Sequence, residues 1–341
     1  MEDIVSAEIK NWIATQIGTS EFTVTQLAGD ASARRYYRII QDEKTWVLMS
    51  WEPFDAATYP FLSVQRQWAH SHIQVPNVLG IGEKLGVLLL EDLGDLTLER
   101  KFWENSRQEA SSEFYIKTLD ELIQVHDGAT YSDFKSTANT LIFDTAKFLW
   151  EMNYAKDNLL LGILKLKLSD SVLAELDKAF VGFCSQLDAE PKVICHRDFH
   201  SRNVMIKRNK VYLIDFQDAR MGPVQYDLVS LFKDSYVDMS EEYSATLMKY
   251  YLDNAKISKN RGFSMEQFKV IYELQSLQRC FKACGSFASF MNLRGDRRYL
   301  KYLTPTLKRV MKALSHFPEY NVISGILIDA GALEKNYETL A

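Results

Sequence analysis

Apolar positions recur with two different periods along this 341-residue chain. Ile4, Val5, Ile9, Trp12, Ile13 and Ile17 fall on one helical stripe, which predicts a first helix over residues 3–17. Short runs rich in β-branched and aromatic residues follow at 22–28, 35–41, 45–51, 78–81 and 85–91, separated by turn-forming stretches. They predict a small, mostly antiparallel sheet. One helix interrupts it, opened by Pro60, with Phe61, Val64, Trp68 and Ile73 on its buried side and Pro76 beyond its end.

After Glu91-Asp92-Leu93-Gly94-Asp95 the apolar period changes from two to about 3.6. This divides the chain into a sheet-based unit over 1–92 and a larger, mainly helical unit over 93–341. Helices are expected near 107–127, 141–156, 168–187, 224–237, 240–255, 264–292 and 298–315. In the longest, Phe268, Ile271, Leu274, Leu277, Phe281, Cys284, Ala288 and Met291 keep three-and-four spacing, so it should run through the centre of the second unit. One β-like island, residues 192–215, lies among these helices.

Composition narrows the class. With 47% hydrophobic and 25% charged residues the chain is an ordinary globular protein, which excludes a disordered one. The net charge of −5 offers no basic excess for coating nucleic acid. No stretch approaches 18 uninterrupted apolar residues, and the start Met-Glu-Asp-Ile-Val lacks the basic end of a signal peptide. Cys184, Cys195, Cys280 and Cys284 do not form a disulfide framework, and no His or Cys near the last two completes a metal tetrahedron. Core thiols, a cytoplasmic location and no membrane partner are the expectation.

The chemistry concentrates in the island. It reads Val-Ile-Cys-His196-Arg197-Asp198-Phe-His200-Ser-Arg-Asn203, then a hairpin whose second strand ends at Asp215-Phe216-Gln217-Asp218. Three oxygen-bearing side chains converge. A hard cation such as Mg²⁺ takes oxygen ligands, so Asn203 and Asp215 suit it while Asp198 is left to face a hydroxyl. Phosphoryl transfer needs that division, because the protein's work is to align two oxygens and offset developing charge. His196 is expected to brace the loop by hydrogen bonding, and His126, near a helix end, to be structural.

The order His-Arg-Asp, four residues, Asn, hairpin, Asp-Phe is the catalytic-loop and metal-loop pattern of protein kinases. Other parts of that set are missing. No G-x-G-x-x-G occurs; Gly29-Asp30-Ala31-Ser32-Ala33-Arg34-Arg35 stands in its place. The third strand, Trp46-Val47-Leu48-Met49-Ser50, has no lysine, and the helix through Ser63-Val64-Gln65-Arg66-Gln67 has no glutamate to pair with one. Arg34 or Arg35, next to the phosphate loop, is the candidate for the missing positive charge.

Together with Tyr226-Asp227-Leu228, these motifs make the chain resemble the aminoglycoside phosphotransferase and choline kinase superfamily over about residues 24–310. Gly29 to Arg38, Leu213 to Ala219, Gly222-Pro223, Tyr226 to Asp234 and Gln278-Arg279 are similar to its branch of N-acetylmuramate/N-acetylglucosamine 1-kinases, where the lysine position also reads as methionine. The resemblance implies an α+β, protein-kinase-like bilobal fold, with a small antiparallel-sheet N-lobe and a larger, mainly helical C-lobe. It implies ATP and Mg²⁺ as cofactors and phosphorylation of the anomeric hydroxyl of an amino sugar, in cell-wall sugar recycling. It carries Asp198 over as catalytic base, Asn203 and Asp215 as metal ligands, and Ser32 as the phosphate-loop hydroxyl. It also implies that Asp227 braces the catalytic loop and that backbone groups around Glu91 to Leu93 hold adenine. Asp218 could contact sugar, belong to the metal shell or cap a turn. Aminoglycoside O-phosphotransfer and a catalytically silent nucleotide-binding module are the rival readings.

Charge adds a substrate clue. Residues 276–312 hold nine basic residues and one acid, Asp296, so the segment is near +8 and the remainder near −13. If it lines the cleft it would repel a polycationic antibiotic and suit a sugar bearing a carboxylate.

Overall fold

A computed structural model describes residues 4–27, 34–104, 111–260 and 262–339. Strands β1 (Thr23–Gln26), β2 (Arg35–Gln41), β3 (Lys44–Ser50), β4 (Val78–Gly82) and β5 (Val87–Glu91) form an antiparallel sheet in the order β1-β2-β3-β5-β4. β2 and β3 pair from Arg35↔Ser50 to Gln41↔Lys44, across a two-residue turn whose first residue, Asp42, takes φ +52°. Alternation along the strands sends Tyr37, Ile39, Leu48, Val87 and Leu89 to the outer face. There they pack with Ile13 of helix α1 (Ala7–Ile17), where Ile9 and Trp12 join them.

The other face of the sheet turns toward the rest of the molecule. Met49, Leu88 and Leu90 enter the main core together with Phe61, Val64 and Trp68 of α2 (Pro60–His70). In addition, α2 is tied to the helical part by Gln67. Its Nε2 donates to Ala129 O, Phe134 O and Asn139 Oδ1, while its Oε1 accepts from Ser136 Oγ.

The second lobe holds α3 (Leu98–Glu104), α4 (Ser112–Ile123), α5 (Thr145–Ala155), α6 (Asp170–Ala189), α7 (Gln225–Phe232), α8 (Glu241–Asn254), α9 (Met265–Arg294), α10 (Leu303–Leu314) and α11 (Asn321–Asp329). π-helical turns extend α4 and α5. The fold is α+β and bilobal, a small antiparallel sheet on a larger helical body. Ser264 caps the start of α9, its Oγ accepting from Gln267 N, and Gly295 at φ +65° ends it. Phe268 through Ala288 on the expected stripe are buried, and Met291 packs at its end. At Gly285 a Cβ would sit 2.3 Å from Ala155 Cα, so α9 crosses α5 backbone to backbone at a point where no side chain fits.

Three features differ from the sequence expectation. The helix expected over 224–237 ends at Phe232, because 233–239 folds inward as a loop around the buried Asp234. α3 and α11 were not expected; both are short, at 7 and 9 residues, which leaves too few turns for a clear stripe. The island is two separate ribbons: β6 (Lys192–Cys195) pairs with β9 (Arg220–Pro223), and β7 (Val204–Lys207) with β8 (Lys210–Leu213).

Candidate active site

β6 delivers the chain into a loop whose backbone is held from below. Asp227, fully buried on α7, accepts from His196 N at 2.7 Å with Oδ2 and from Arg197 N at 3.0 Å with Oδ1. Arg197 is thereby kept at φ +82°, a left-handed conformation that costs a non-glycine residue roughly 1–3 kcal/mol. That kink turns Asp198 into the cavity. Behind Asp227, His126 Nε2 lies 3.3 Å from Oδ2 and His126 Nδ1 lies 2.7 Å from Tyr251 Oη. His126, Cys195 and Asp227 are near enough to share an ion, but the Cys195 thiol faces the Pro223 and Val193 carbonyls and burial pushes its pKa well up. The cluster is a brace.

The hairpin is wired to the same loop. His196 Nε2 meets Ile214 O at 2.9 Å, Ile214 N donates to Asn203 O, and Asn203 Nδ2 donates to Asp198 O. With its amide nitrogen so used, Asn203 lines the cavity with an Oδ1 that carries no hydrogen bond among the described residues. Asp215 stands at φ +63°; its Oδ1 accepts from Gln217 Nε2 at 2.7 Å, and Oδ2 carries no hydrogen bond among the described residues. Burial pushes the Asp215 carboxyl up, the Gln217 hydrogen bond opposes this, and the charge of Asp198 adds to the rise. A cation there would favour the ionised form. Two open oxygens on a polar wall fit a hard divalent ion.

Asp198 is a quarter exposed. Its Oδ1 accepts from Arg279 Nη2 at 3.1 Å and Lys282 Nζ at 3.3 Å, both on α9. Oδ2 lies 3.9 Å from Arg197 Nη1 and carries no hydrogen bond among the described residues. Burial pushes this carboxyl up, but Lys282, Arg197 and Arg279 outweigh it and hold it well below the usual carboxylate range. Burial also holds His200 down to about 4, so its ring is neutral near pH 7.

These groups line one cavity of about 840 Å³ between sheet and helices. At its sheet end Leu27, Val47, Leu90, Leu93, Met205 and Ile214 make a flat apolar slot. Two ion-pair clusters frame the connection between lobes there. Arg38 chelates Asp92 and reaches Asp95, and Lys207 binds Glu91 Oε1 at 2.7 Å and Asp92 O at 2.8 Å. At the helical end are Arg202, Lys233, Tyr236, Phe287 and Tyr299.

The candidate residues distribute as follows. Asp198, Asn203, Asp215, Glu91, Leu93 and Arg34 line the cavity; His196 and Asp227 sit behind it. Arg35 is exposed and does not line the cavity, since alternation along β2 turns Arg34, Tyr36 and Arg38 into it and Arg35 away. Asp218 also lies outside, pairing with Arg197 Nη1 at 3.0 Å. Ser32 lies outside the described residues. Met49, at the lysine position of β3, is fully buried. In place of an ion pair, α2 meets the site through aromatic rings: Trp68 lies 5.7 Å from His196 and 5.3 Å from Phe216.

Of the nine basic residues in 276–312, only Arg279 and Lys282 line the cavity. Arg309 donates to the carbonyls of Lys233, Asp234 and Val237, and Lys312 pairs with Glu241. Gln278-Arg279 is part of the motif resemblance, but no motif gave Arg279 a role or picked out Lys282, although i, i+3 spacing places them on one helix face.

Comparison with known proteins places the chain in a family. Residues 23–263 match the family described as "Phosphotransferase enzyme family". An N-acetylmuramate/N-acetylglucosamine kinase of Neisseria meningitidis serogroup B is 27% identical over 327 residues, covering 94% of this chain and 95% of that one. A choline/ethanolamine kinase family protein from Mesorhizobium loti superposes with a TM-score of 0.61 at 14% identity, over 94% of this chain and 98% of that one. An ADP-bound aminoglycoside phosphotransferase gives 0.57 at 18%, over 91% and 97%. Both solved structures establish the protein-kinase-like fold. Among the described residues, no helix is long and apolar enough to cross a membrane.

Proposed function

Because the chain belongs to the phosphotransferase enzyme family, we propose that it is an ATP- and Mg²⁺-dependent kinase acting on the anomeric hydroxyl of an amino sugar, N-acetylmuramate or N-acetylglucosamine. One observation carries the reading. Asp198 has one oxygen fixed by two cations and the other open to a cavity that also holds Asn203 and Asp215. The open Oδ2 orients the sugar hydroxyl. As the O1–P bond forms and the bond from phosphorus to the β,γ-bridging oxygen breaks, ADP leaves with that oxygen and the hydroxyl proton passes to Oδ2. Held so acidic, Asp198 accepts this proton late, which suits a loose phosphoryl transition state. Asn203 and Asp215 would hold Mg²⁺, which when bound neutralises the triphosphate charge.

The lobe boundary falls after Asp92, giving an N-lobe of 1–92 and a C-lobe of 93–341. Adenine fits the apolar slot, with backbone groups of Glu91 to Leu93 at its edge. Arg34, close enough to Asp215 for their charges to interact, is the nucleotide-side cation. Arg34→Ala is therefore expected to raise the apparent KM for ATP roughly 10- to 150-fold, one charge-assisted contact being worth about 1.5–3 kcal/mol. Arg35→Ala should leave it unchanged, and equal values for both variants refute the assignment. Four free, buried cysteines fit a cytoplasmic location.

ADP release with ATP and Mg²⁺, measured across N-acetylmuramate, N-acetylglucosamine, other hexoses, choline and kanamycin, tests the substrate. Turnover of the two amino sugars to an acid-labile phosphate is expected. Turnover of kanamycin alone replaces the reading with aminoglycoside phosphotransfer, and ATP binding without turnover replaces it with a silent module. Asp234, at the helical end of the cavity, favours the sugar: it is committed to Ser201 N, Ser201 Oγ and Tyr236 N, so it is not free to receive an amine.

A further inference from the structure

We propose that Lys282 is a further catalytic residue, its ammonium holding an equatorial oxygen of the transferring phosphoryl group from the acceptor side. The inference rests on the kinase reading above. It begins from a deficit: the β3 position where protein kinases carry their lysine holds Met49, fully buried among apolar side chains, and α2 reaches the site through rings. Arg34 meets the nucleotide from the sheet side, so a cation that offsets developing phosphoryl charge from the acceptor side must come from the helical lobe.

Several cavity cations are already neutralised. Arg38 is chelated by Asp92 and Asp95, and Arg202 by Glu99 while stacked 3.8 Å from the Tyr236 ring. Arg279 is wedged, its Nε on Ser230 Oγ and its Nη2 on Asp198. Lys282 differs. Its Nζ is 3.3 Å from Asp198 Oδ1, its side chain is 12% exposed, and among the described residues Asp198 is its one hydrogen-bond acceptor. Three N–H donors on a rotatable head leave two for a ligand. The acceptor hydroxyl must lie about 3 Å from Asp198 and in line with phosphorus, which brings the equatorial oxygens to the side of Asp198 where that ammonium can swing to meet them.

The groups facing Lys282 are Arg279 on its own helix, Asp198 and Arg197 from the catalytic loop, and Glu151 from α5. Burial and Arg279 press its pKa down to about 8, against the pull of Asp198 and Glu151. If the charged form works, kcat/KM, which reports the free enzyme, falls as pH rises through that value.

Lys282→Met and Lys282→Arg in the full chain test this. The Met variant is expected to lose roughly 10²- to 10³-fold in kcat on both amino sugars, with each KM within about 3-fold. The Arg variant should recover a tenth or more of the rate and lack the fall above about pH 8. A Met variant with near-normal kcat overturns the proposal, as does a loss confined to KM for N-acetylmuramate, which would make Lys282 a carboxylate binder. Binding of ADP with aluminium fluoride, a mimic of the transferring phosphoryl, needs no sugar and separates the two readings. Wild type binding it at least tenfold more tightly than Lys282→Met, with plain ADP equal, supports Lys282 even if every sugar fails; equal affinity refutes it.

Discussion

Asp198→Asn should lower kcat for sugar phosphorylation by about 10³-fold while plain ADP affinity stays within a few fold, because the loss falls on the proton acceptor and not on the nucleotide slot. The amide keeps an oxygen for Arg279 and Lys282, so the loop geometry survives; what disappears is the open Oδ2 that can take a proton. The native carboxyl lies well below the ordinary range, so it is ionised throughout the neutral region and adds no acidic limb to the rate profile there. Initial rates of ADP release, with circular dichroism to confirm folding, measure this. A variant retaining a tenth of the wild-type rate would remove Asp198 from the chemistry.

Asp227→Ala is expected to cost about 3–5 kcal/mol of stability, since a fully buried carboxylate is removed and two backbone N–H groups lose their acceptors. The effect should reach activity as well. Arg197 needs the Oδ1 contact to stay at φ +82°, and relaxation there swings Asp198 away from the site. Asp227→Asn keeps one acceptor and should fall between wild type and Ala. Urea unfolding midpoints and kcat on the same preparations provide the check. An unchanged midpoint for the Ala variant would mean that the loop does not depend on this brace.

How far the site was readable depends on chain distance. Asp198, Asn203 and Asp215 lie within 18 consecutive residues, so a strand, a loop and a hairpin suffice to bring them together. Arg34 and Arg35 show the limit of periodicity. A period of two says that they face opposite ways, but which one meets the cleft depended on α1 covering the outer face of the sheet. The basic segment shows the limit of counting. Seven of its nine cations lie outside the cavity, among them Arg309 on loop carbonyls and Lys312 on Glu241, and an average over the segment cannot distinguish these from Arg279 and Lys282.

By itself, then, the sequence determined the two-period architecture, the long central helix and the local triad of oxygen donors, because each follows from spacing within a few turns or strands. Tertiary structure alone decided what surrounds that triad. Lys282 meets Asp198 from 84 residues away because α9 can approach α5 at Gly285 and so pass beneath the catalytic loop. Contacts of that range are set by which surfaces pack together, and packing depends on the shapes of whole helices and not on the residues adjacent in the chain.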